Sequence, residues 1–202
     1  SGADAIHPGY GFLSESAAFA QAVIEAGLVW IGPSPRVIDS MGDKGRARLL
    51  AARCGIPILA GTGRFAESTL DGVEAAAEEV GFPLLVKASA GGGGIGMRRV
   101  DDAASLKATV MATQSMAARS FGDSSIYLER FVPVARHIEL QVFGFGANGA
   151  VHFYERDCST QRRFQKIIEE GPAPGLPTPV RERMAEAALR LCTSQQYEGA
   201  GT

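Results

Sequence analysis

Apolar and polar residues alternate with two different periods along this chain, which predicts a mixture of helices and strands. A helical pattern that ends near residue 26 precedes a short apolar run at 28–31, and this order is typical of a parallel α/β unit. Strand patterns follow at 83–88, 96–100, 126–131, 136–143 and 150–154. Helical patterns cover 101 to about 119 and 179–192. We therefore predict α/β structure at the start of the chain and α+β structure after it.

Local signals predict where several helices begin and end. Ser14 and Asp43 are of the residue types that cap helix N-termini, and each precedes a helical pattern. Gly27 and Gly81 each follow the last periodic residue of a helical pattern, where glycine commonly terminates a helix.

The composition excludes several functional classes. The chain has 202 residues with 20 basic and 22 acidic side chains, a balance that argues against nucleic-acid binding. It lacks an apolar run of the roughly 20 residues that a membrane helix needs. Three widely spaced cysteines without a CxxC motif argue against a disulfide scaffold or a thiolate zinc site. We expect a cytoplasmic protein, or one of the mitochondrial matrix if the source is eukaryotic.

Four consecutive glycines, Gly91 to Gly94, lie between two predicted strands and follow Lys87. Successive backbone N–H groups of such a run can converge on a phosphate, and the lysine adds a full positive charge. Neither the GxxxxGK[ST] pattern nor a GxGxxG that opens a helix is present. Two interpretations stay open from these residues alone, a lid over nucleotide phosphates and a plain flexible hairpin tip.

Two further segments carry candidate chemistry. Strict alternation from Arg136 to Val142 places His137, Glu139 and Gln141 on one face of a strand, although a solvated sheet face explains the same pattern. The stretch from 155 to 166 then supplies several cations between apolar segments: Arg156, Arg162, Arg163 and Lys166. Fixed cations suit the binding of a small anion, and the alternative is a solvated charged loop. Cys158 is predicted to be a structural thiol.

Taken together, five motifs resemble the biotin carboxylase component of biotin-dependent carboxylases, which has the ATP-grasp fold. They are His7-Pro8-Gly9-Tyr10-Gly11-Phe12-Leu13-Ser14-Glu15, Met41-Gly42-Asp43-Lys44, Lys87-Ala88-Ser89 with the glycine run, Arg136-His137-Ile138-Glu139-Leu140-Gln141, and the segment from Glu155 to Lys166. They follow one another with the family's spacing over essentially the whole chain.

The resemblance implies a ligase that activates bicarbonate with ATP to carboxyphosphate and transfers the carboxyl group to biotin on a carrier domain. It implies that Lys166 is catalytic and holds bicarbonate or carboxyphosphate. The residues implied in nucleotide binding are Lys44, Lys87, Gly93, Gly94, Glu129, Arg130, Phe131, Val132, His137 and Gln161. ATP, Mg²⁺ and biotin as carboxyl acceptor are the implied cofactors. A carboxyl carrier domain, a carboxyltransferase component and further copies of the full-length protein are the implied partners.

The resemblance also implies a domain organisation. Residues 1–42 would end an N-terminal α/β domain, 43–58 would connect it, 59–131 would form the ATP-grasp lid, and 132–202 would begin the C-terminal ATP-grasp domain. The family's Mg²⁺-binding acidic residues have no matching positions up to Thr202, so metal ligands are expected outside this chain. We therefore expect an incomplete fragment that binds nucleotide weakly and does not turn over.

The chain departs from the family pattern at several positions. Phe164 stands where the family has His or Asn, Gln196 where a helix-ending glycine is usual, and Ala60 where proline is common. Two alternatives remain: another ATP-grasp ligase, such as a carbamoyl-phosphate synthase or an amino-acid ligase, and a non-catalytic nucleotide-binding module. The final carboxyl acceptor, whether an acyl-CoA, pyruvate or urea, would be chosen by the carboxyltransferase.

Overall fold

A computed structural model describes residues 2–66, 70–90, 96–162 and 165–202, with the main chain alone at Lys44. The chain divides into two compact units. The first contains Ser1–Ile56, Arg136–Thr160 and Lys166–Thr202, and the second contains Pro57–Ala135 and Gln161–Gln165. The predicted division into four segments at 42/43, 58/59 and 131/132 stays a prediction.

The first unit begins with a parallel strand pair joined by a helix, as the sequence predicts. Strand β1 (Ala5–Ile6) pairs with β2 (Val29–Trp30), and helix α1 (Ala17–Glu25) connects them. The predicted cap was wrong by two residues: Ser16 caps α1, whereas the Ser14 hydroxyl closes a short 3-10 turn by donating to the Gly11 carbonyl. Helices α2 (Pro35–Gly42) and α3 (Lys44–Arg53) follow, and Asp43 caps α3 as predicted.

An antiparallel four-stranded sheet forms the rest of the first unit. Its strands are β6 (Ile138–Phe145), β7 (Ala150–Arg162), β8 (Gln165–Glu170) and β9 (Glu198–Gly201), and they lie in the order β8-β7-β6-β9. Helix α6 (Thr178–Ser194) precedes β9 and packs against β6. Gly144 permits the close approach of the chain around Tyr197, because a Cβ there would lie 2.0 Å from the Tyr197 carbonyl oxygen.

The second unit is a three-stranded antiparallel sheet with two helices against one face. Its strands are β3 (Leu84–Ala88), β4 (Met97–Val100) and β5 (Ile126–Arg130), in the order β4-β3-β5. Helices α4 (Val73–Val80) and α5 (Ala103–Phe121) bury Val80 and Val110 with Leu84, Val86 and Leu128 of the sheet. Alternation in β3 places Leu85 and Lys87 on the opposite, less buried face. That face carries the candidate nucleotide residues described below.

The sequence underestimated the strands near the end of the chain. The apolar pattern ended β7 at residue 154, but the strand continues to Arg162, and β8 begins at Gln165. Charged side chains interrupt the hydrophobic period there, yet backbone pairing in the sheet does not require apolar residues. The glycine-rich segment at 198–201 forms β9, which the apolar pattern did not indicate. In the described part of the chain, every helix is too short or too polar to cross a bilayer.

Gln196 has a left-handed backbone conformation, which glycine adopts without strain. It follows the C-cap residue Gln195 of α6 with a φ of 52°, and it is exposed. A side chain at such a position brings Cβ too close to the neighbouring carbonyl oxygen, whereas glycine has no Cβ. The departure from the family pattern therefore carries a local backbone cost.

We expect Gln196→Gly to stabilise the fold by about 1 kcal/mol, because the relief of left-handed strain exceeds the entropy that glycine adds to the unfolded chain. Urea unfolding measures the change. Gln196→Ala is the matched control, since it shortens the side chain but keeps Cβ. An equal gain from both substitutions would show that the side chain beyond Cβ, and not the backbone, carries the cost.

Candidate functional site

The less buried face of the sheet in the second unit carries a lysine, a glutamate and an aromatic ring in one group. Lys87 on β3 donates a hydrogen bond to Glu129 on β5, and its Nζ lies 5.9 Å from the centre of the Tyr127 ring. Both charged side chains are largely shielded, with 17% and 13% of their surface exposed. Because β3 and β5 pair antiparallel with Leu85 opposite Glu129, all three side chains point to the same face. This arrangement fixes an ammonium group on a partly desolvated surface.

The end of β5 and the residue after it are held by backbone hydrogen bonds on both sides. The Arg130 N–H donates to the Ala60 carbonyl at 2.8 Å, and the Phe131 N–H donates to the Pro83 carbonyl at 3.1 Å. The Arg99 guanidinium lies over the Phe131 ring at 4.5 Å from its centre. Val132 follows and is exposed. The four residues predicted to meet adenine, from Glu129 to Val132, therefore form one continuous and well-anchored segment.

His137 lies just before β6 and is exposed. Two residues of β7 hold its backbone by hydrogen bonds. Its N–H donates to Ser159 Oγ at 2.9 Å, and its carbonyl accepts from the Cys158 N–H at 2.7 Å. Asp157 supports this contact, since it accepts hydrogen bonds from the hydroxyl and the N–H of Ser159. Those bonds and the Arg136 guanidinium lower the pKa of Asp157 to about 2. The aspartate thus stays ionised and organises the start of β6.

Lys166 belongs to a cluster of alternating charges on the sheet of the first unit. Its ammonium group donates to Glu139 Oε2, and Arg156 donates to the other oxygen of the same carboxylate from Nε, at 3.0 Å, and from Nη2. Glu169 lies 3.6 Å from the Lys166 ammonium and 3.5 Å from Arg156 Nε. Glu139 is therefore held between two cations.

The pKa values of Glu139, Lys166 and Arg156 each move toward the charged form. Burial of Glu139 favours its neutral form, but hydrogen bonds from Lys166 and Arg156 outweigh that effect and lower the pKa of the carboxyl group. The hydrogen bond to Glu139 raises the pKa of Lys166, and the same carboxylate raises the pKa of Arg156. Lys166 consequently keeps its positive charge at neutral pH and can bind an anion.

Cys158 is buried beside this cluster. Burial, reinforced by the charge of Glu139, raises the pKa of its thiol, so the thiol stays protonated at neutral pH. This agrees with a structural thiol and not with a nucleophile.

A metal ion does not fit the acidic group that the structure describes here. One ligand atom each from Glu139, Cys158 and Glu169 lies within 4.8 Å of the others. However, Lys166 and Arg156 already bind the carboxylates, and a protonated thiol is a poor ligand for Mg²⁺. Among the described residues, this group therefore does not supply the Mg²⁺ ligands that the resemblance implies.

The structure describes the other predicted site residues only in part. Lys44 begins α3, but its side chain lies outside the described part, as do Gly93, Gly94, Arg163 and Phe164. Gln161 is exposed near the end of β7. Arg156, which the sequence offered as one of several anion-binding cations, donates three hydrogen bonds to Glu139 and Gln141. Conversely, the sequence placed Glu139 on a polar face but did not identify it as the partner of Lys166.

Comparison with known proteins first defines the class. The family model described as the carbamoyl-phosphate synthase L chain, ATP binding domain, matches residues 43–202, and that of the biotin carboxylase N-terminal domain matches residues 1–38. The chain therefore has the ATP-grasp fold, as predicted. With both matches in this order, it belongs to the biotin carboxylase family.

Individual relatives agree with this assignment. Pyruvate carboxylase of Schizosaccharomyces pombe is 46% identical over 202 residues, which are 100% of this chain and 17% of that protein. The biotin carboxylase of Campylobacter jejuni, solved with β,γ-ATP, has a TM-score of 0.91 at 41% identity and is matched over 98% of this chain and 44% of its own. The biotin carboxylase domain of Hydrogenobacter thermophilus 2-oxoglutarate carboxylase was solved with MgADP, ADP and bicarbonate. Its TM-score is 0.91 at 38% identity, and the match covers 98% of this chain and 44% of that domain's chain. The chain thus corresponds to less than half of each.

We expect Glu139→Gln to lower the pKa of Lys166, because the carboxylate that stabilises the ammonium form is lost while burial of the amine remains. Acetic anhydride labelling, quantified by mass spectrometry as a function of pH, measures the neutral fraction of this lysine. Lys107 on α5, which is exposed, serves as the reference in the same sample. Labelling of Lys166 that follows the same pH curve in parent and variant would contradict the assigned pairing.

Proposed function

We propose that this chain supplies the bicarbonate-activating half of a biotin carboxylase site, in which ATP and bicarbonate form carboxyphosphate and biotin accepts the carboxyl group. The observation that carries the proposal is the charged Lys166, held by Glu139 on the sheet of a biotin carboxylase family member. Both relatives solved with nucleotide belong to this family, and one of them also holds bicarbonate.

Lys166 binds bicarbonate and then carboxyphosphate in this proposal. Each species is an anion, and negative charge builds up on the transferring phosphoryl group as bicarbonate oxygen attacks. An ammonium group that is oriented in advance stabilises that charge without having to reorganise. Glu139 keeps the amine protonated, so Lys166 acts as a fixed cation and not as a base.

Residues of the second unit bind the nucleotide in this proposal. Lys87 contacts phosphate oxygens, and Gly93 and Gly94 of the glycine run are further phosphate contacts. The segment from Glu129 to Val132 contacts adenine, and its anchored backbone supports this role. Gln161 contacts the ribose or phosphates, and Lys44 and His137 of the first unit are also proposed as nucleotide contacts. Phosphoryl transfer depends mainly on such positioning and charge neutralisation.

The proposed reaction has further components. The acidic cluster among the described residues does not fit Mg²⁺. The proposal includes a carrier domain that bears biotin and a carboxyltransferase that selects the acceptor. It also includes assembly into a homo-oligomer. We place the protein in the cytoplasm, or in the mitochondrial matrix of a eukaryote.

Lys166→Met in the complete reading frame that carries this sequence tests the proposal. We expect bicarbonate-dependent ATP cleavage, stimulated by free biotin, to fall about 100- to 1000-fold, as when one charge-stabilising donor is removed from a transition state. ADP release in a coupled assay measures it. Lys107→Met, an exposed lysine of α5, is the matched control and keeps the parent rate.

ATP cleavage by the unsubstituted protein distinguishes the proposed function from the two alternative classes. Cleavage of ATP that depends on bicarbonate but not on biotin would indicate another ATP-grasp ligase. Nucleotide binding without any cleavage would indicate a non-catalytic module. For the 202-residue chain alone we expect weak nucleotide binding and no turnover, and biotin-stimulated cleavage by that purified chain would refute this expectation.

A further inference from the structure

A line of hydrogen bonds crosses all four strands of the sheet in the first unit. It starts on β9, where the Gly201 carbonyl accepts from Gln141 Nε2 at 2.8 Å, and continues from Gln141 Oε1 to Arg156 Nη1 at 2.9 Å. Arg156 then donates to Glu139, and Glu139 accepts from Lys166 on β8. Each side chain in the line is oriented by the next one. The ammonium group of Lys166 is its last member.

Arg156 is the branch point of this line. Its guanidinium uses Nε and Nη2 for one oxygen of Glu139 and Nη1 for the amide oxygen of Gln141. Since the guanidinium is planar, these contacts fix the plane of the group and hold the first carboxylate oxygen. The second oxygen, Oε2, is thereby left directed at Lys166.

We propose that Arg156 is a positioning residue for the bicarbonate-activating reaction, and that it acts on Lys166 by fixing the orientation of the Glu139 carboxylate. This inference rests on the proposed role of Lys166. Arg156 itself makes no contact with substrate in the proposal, because its donors toward this cluster are occupied within the sheet.

The partial burial of the cluster explains why the geometry is well defined. Only 11% of the Glu139 side chain and 30% of the Arg156 side chain are exposed, so water competes weakly for their hydrogen bonds. A lysine at position 156 would keep a positive charge but has no planar fork with which to engage Glu139 and Gln141 together. Position 156 therefore requires the guanidinium shape as well as its charge.

Charged and titratable groups on two strands face Glu139. Arg156 and Cys158 approach it from β7, and Lys166 and Glu169 approach it from β8. Burial opposes ionisation of the Glu139 carboxyl group, while the two cations favour it. Loss of Arg156 removes one of the two favourable partners, so protonation of Glu139 shifts to higher pH.

Arg156→Met in the complete reading frame tests the proposal by kinetics. We expect kcat/KM for bicarbonate to fall about 10- to 100-fold, as when a partner that orients a catalytic group is removed, with KM for ATP unchanged. The acid limb of the pH profile of kcat/KM should move to higher pH. Arg156→Lys should restore the position of the acid limb, since its charge remains, but recover only part of the rate.

Arg136→Met is the matched control. Arg136 also pairs with a carboxylate of β7, that of Asp157, but it does not touch Glu139. Asp157 keeps its hydrogen bonds from Ser159, so this variant should leave the acid limb in place. An equal loss in both variants without movement of the acid limb would show a general structural effect and would overturn the proposal.

Crystal structures of the parent and Arg156→Met provide a readout that does not depend on activity. In the variant, we expect the distance between Lys166 Nζ and Glu139 Oε2 to exceed about 3.2 Å, the upper limit for a hydrogen bond. A Lys166 that stays on Oε2 would overturn the positioning role even if activity falls. If the parent does not cleave ATP, the proposed function fails, while the crystal structures still decide whether Arg156 positions Lys166.

Discussion

The antiparallel pairing of β6 with β7 on one side and β9 on the other is the constraint on which the first unit depends. It aligns Ile138 with Asp157 and Glu139 with Arg156, and then shifts register between Leu140 and Val142. Because side chains alternate along a strand, Glu139 and Gln141 point away from the face that carries Leu140 and Val142. One register therefore creates both the charged cluster and the apolar face beneath α6.

The two faces of this sheet meet different physical requirements. Leu140 and Val142, together with Leu191 and Cys192 of α6, line a small apolar cavity of about 100 Å³. On the same face Glu155 is fully buried, and Arg181 of α6 binds it at 2.8 Å while the Ala173 N–H donates to it at 3.2 Å. Leaving such a carboxylate without its cation would cost several kcal/mol, so this pair also determines where α6 can pack. A buried ion pair thus serves as a structural contact on one face, while a partly open one holds Lys166 on the other.

The second unit separates structure from candidate function in the same way. The buried positions of β3 and β5 pack against α4 and α5, and the intervening positions present Lys87, Tyr127 and Glu129. A chain that must bind a polyanionic ligand gains from this division, because the cations can be held by acidic and aromatic neighbours without disturbing the core. The same physical solution, a lysine restrained by a glutamate from another strand of its sheet, therefore occurs in both units.

The sequence by itself determined the fold class, the family and most element types, because hydrophobic periodicity, capping residues and five motifs are local in the chain. It also identified Lys87, His137 and Lys166 as candidates. Only the tertiary structure decided that β7 continues to Arg162, and that Arg156 donates to Glu139. It also showed that Glu139, 27 positions from Lys166 along the chain, is its partner. These features depend on strand register and on which charges share one desolvated face, and neither is encoded in the spacing of neighbouring residues.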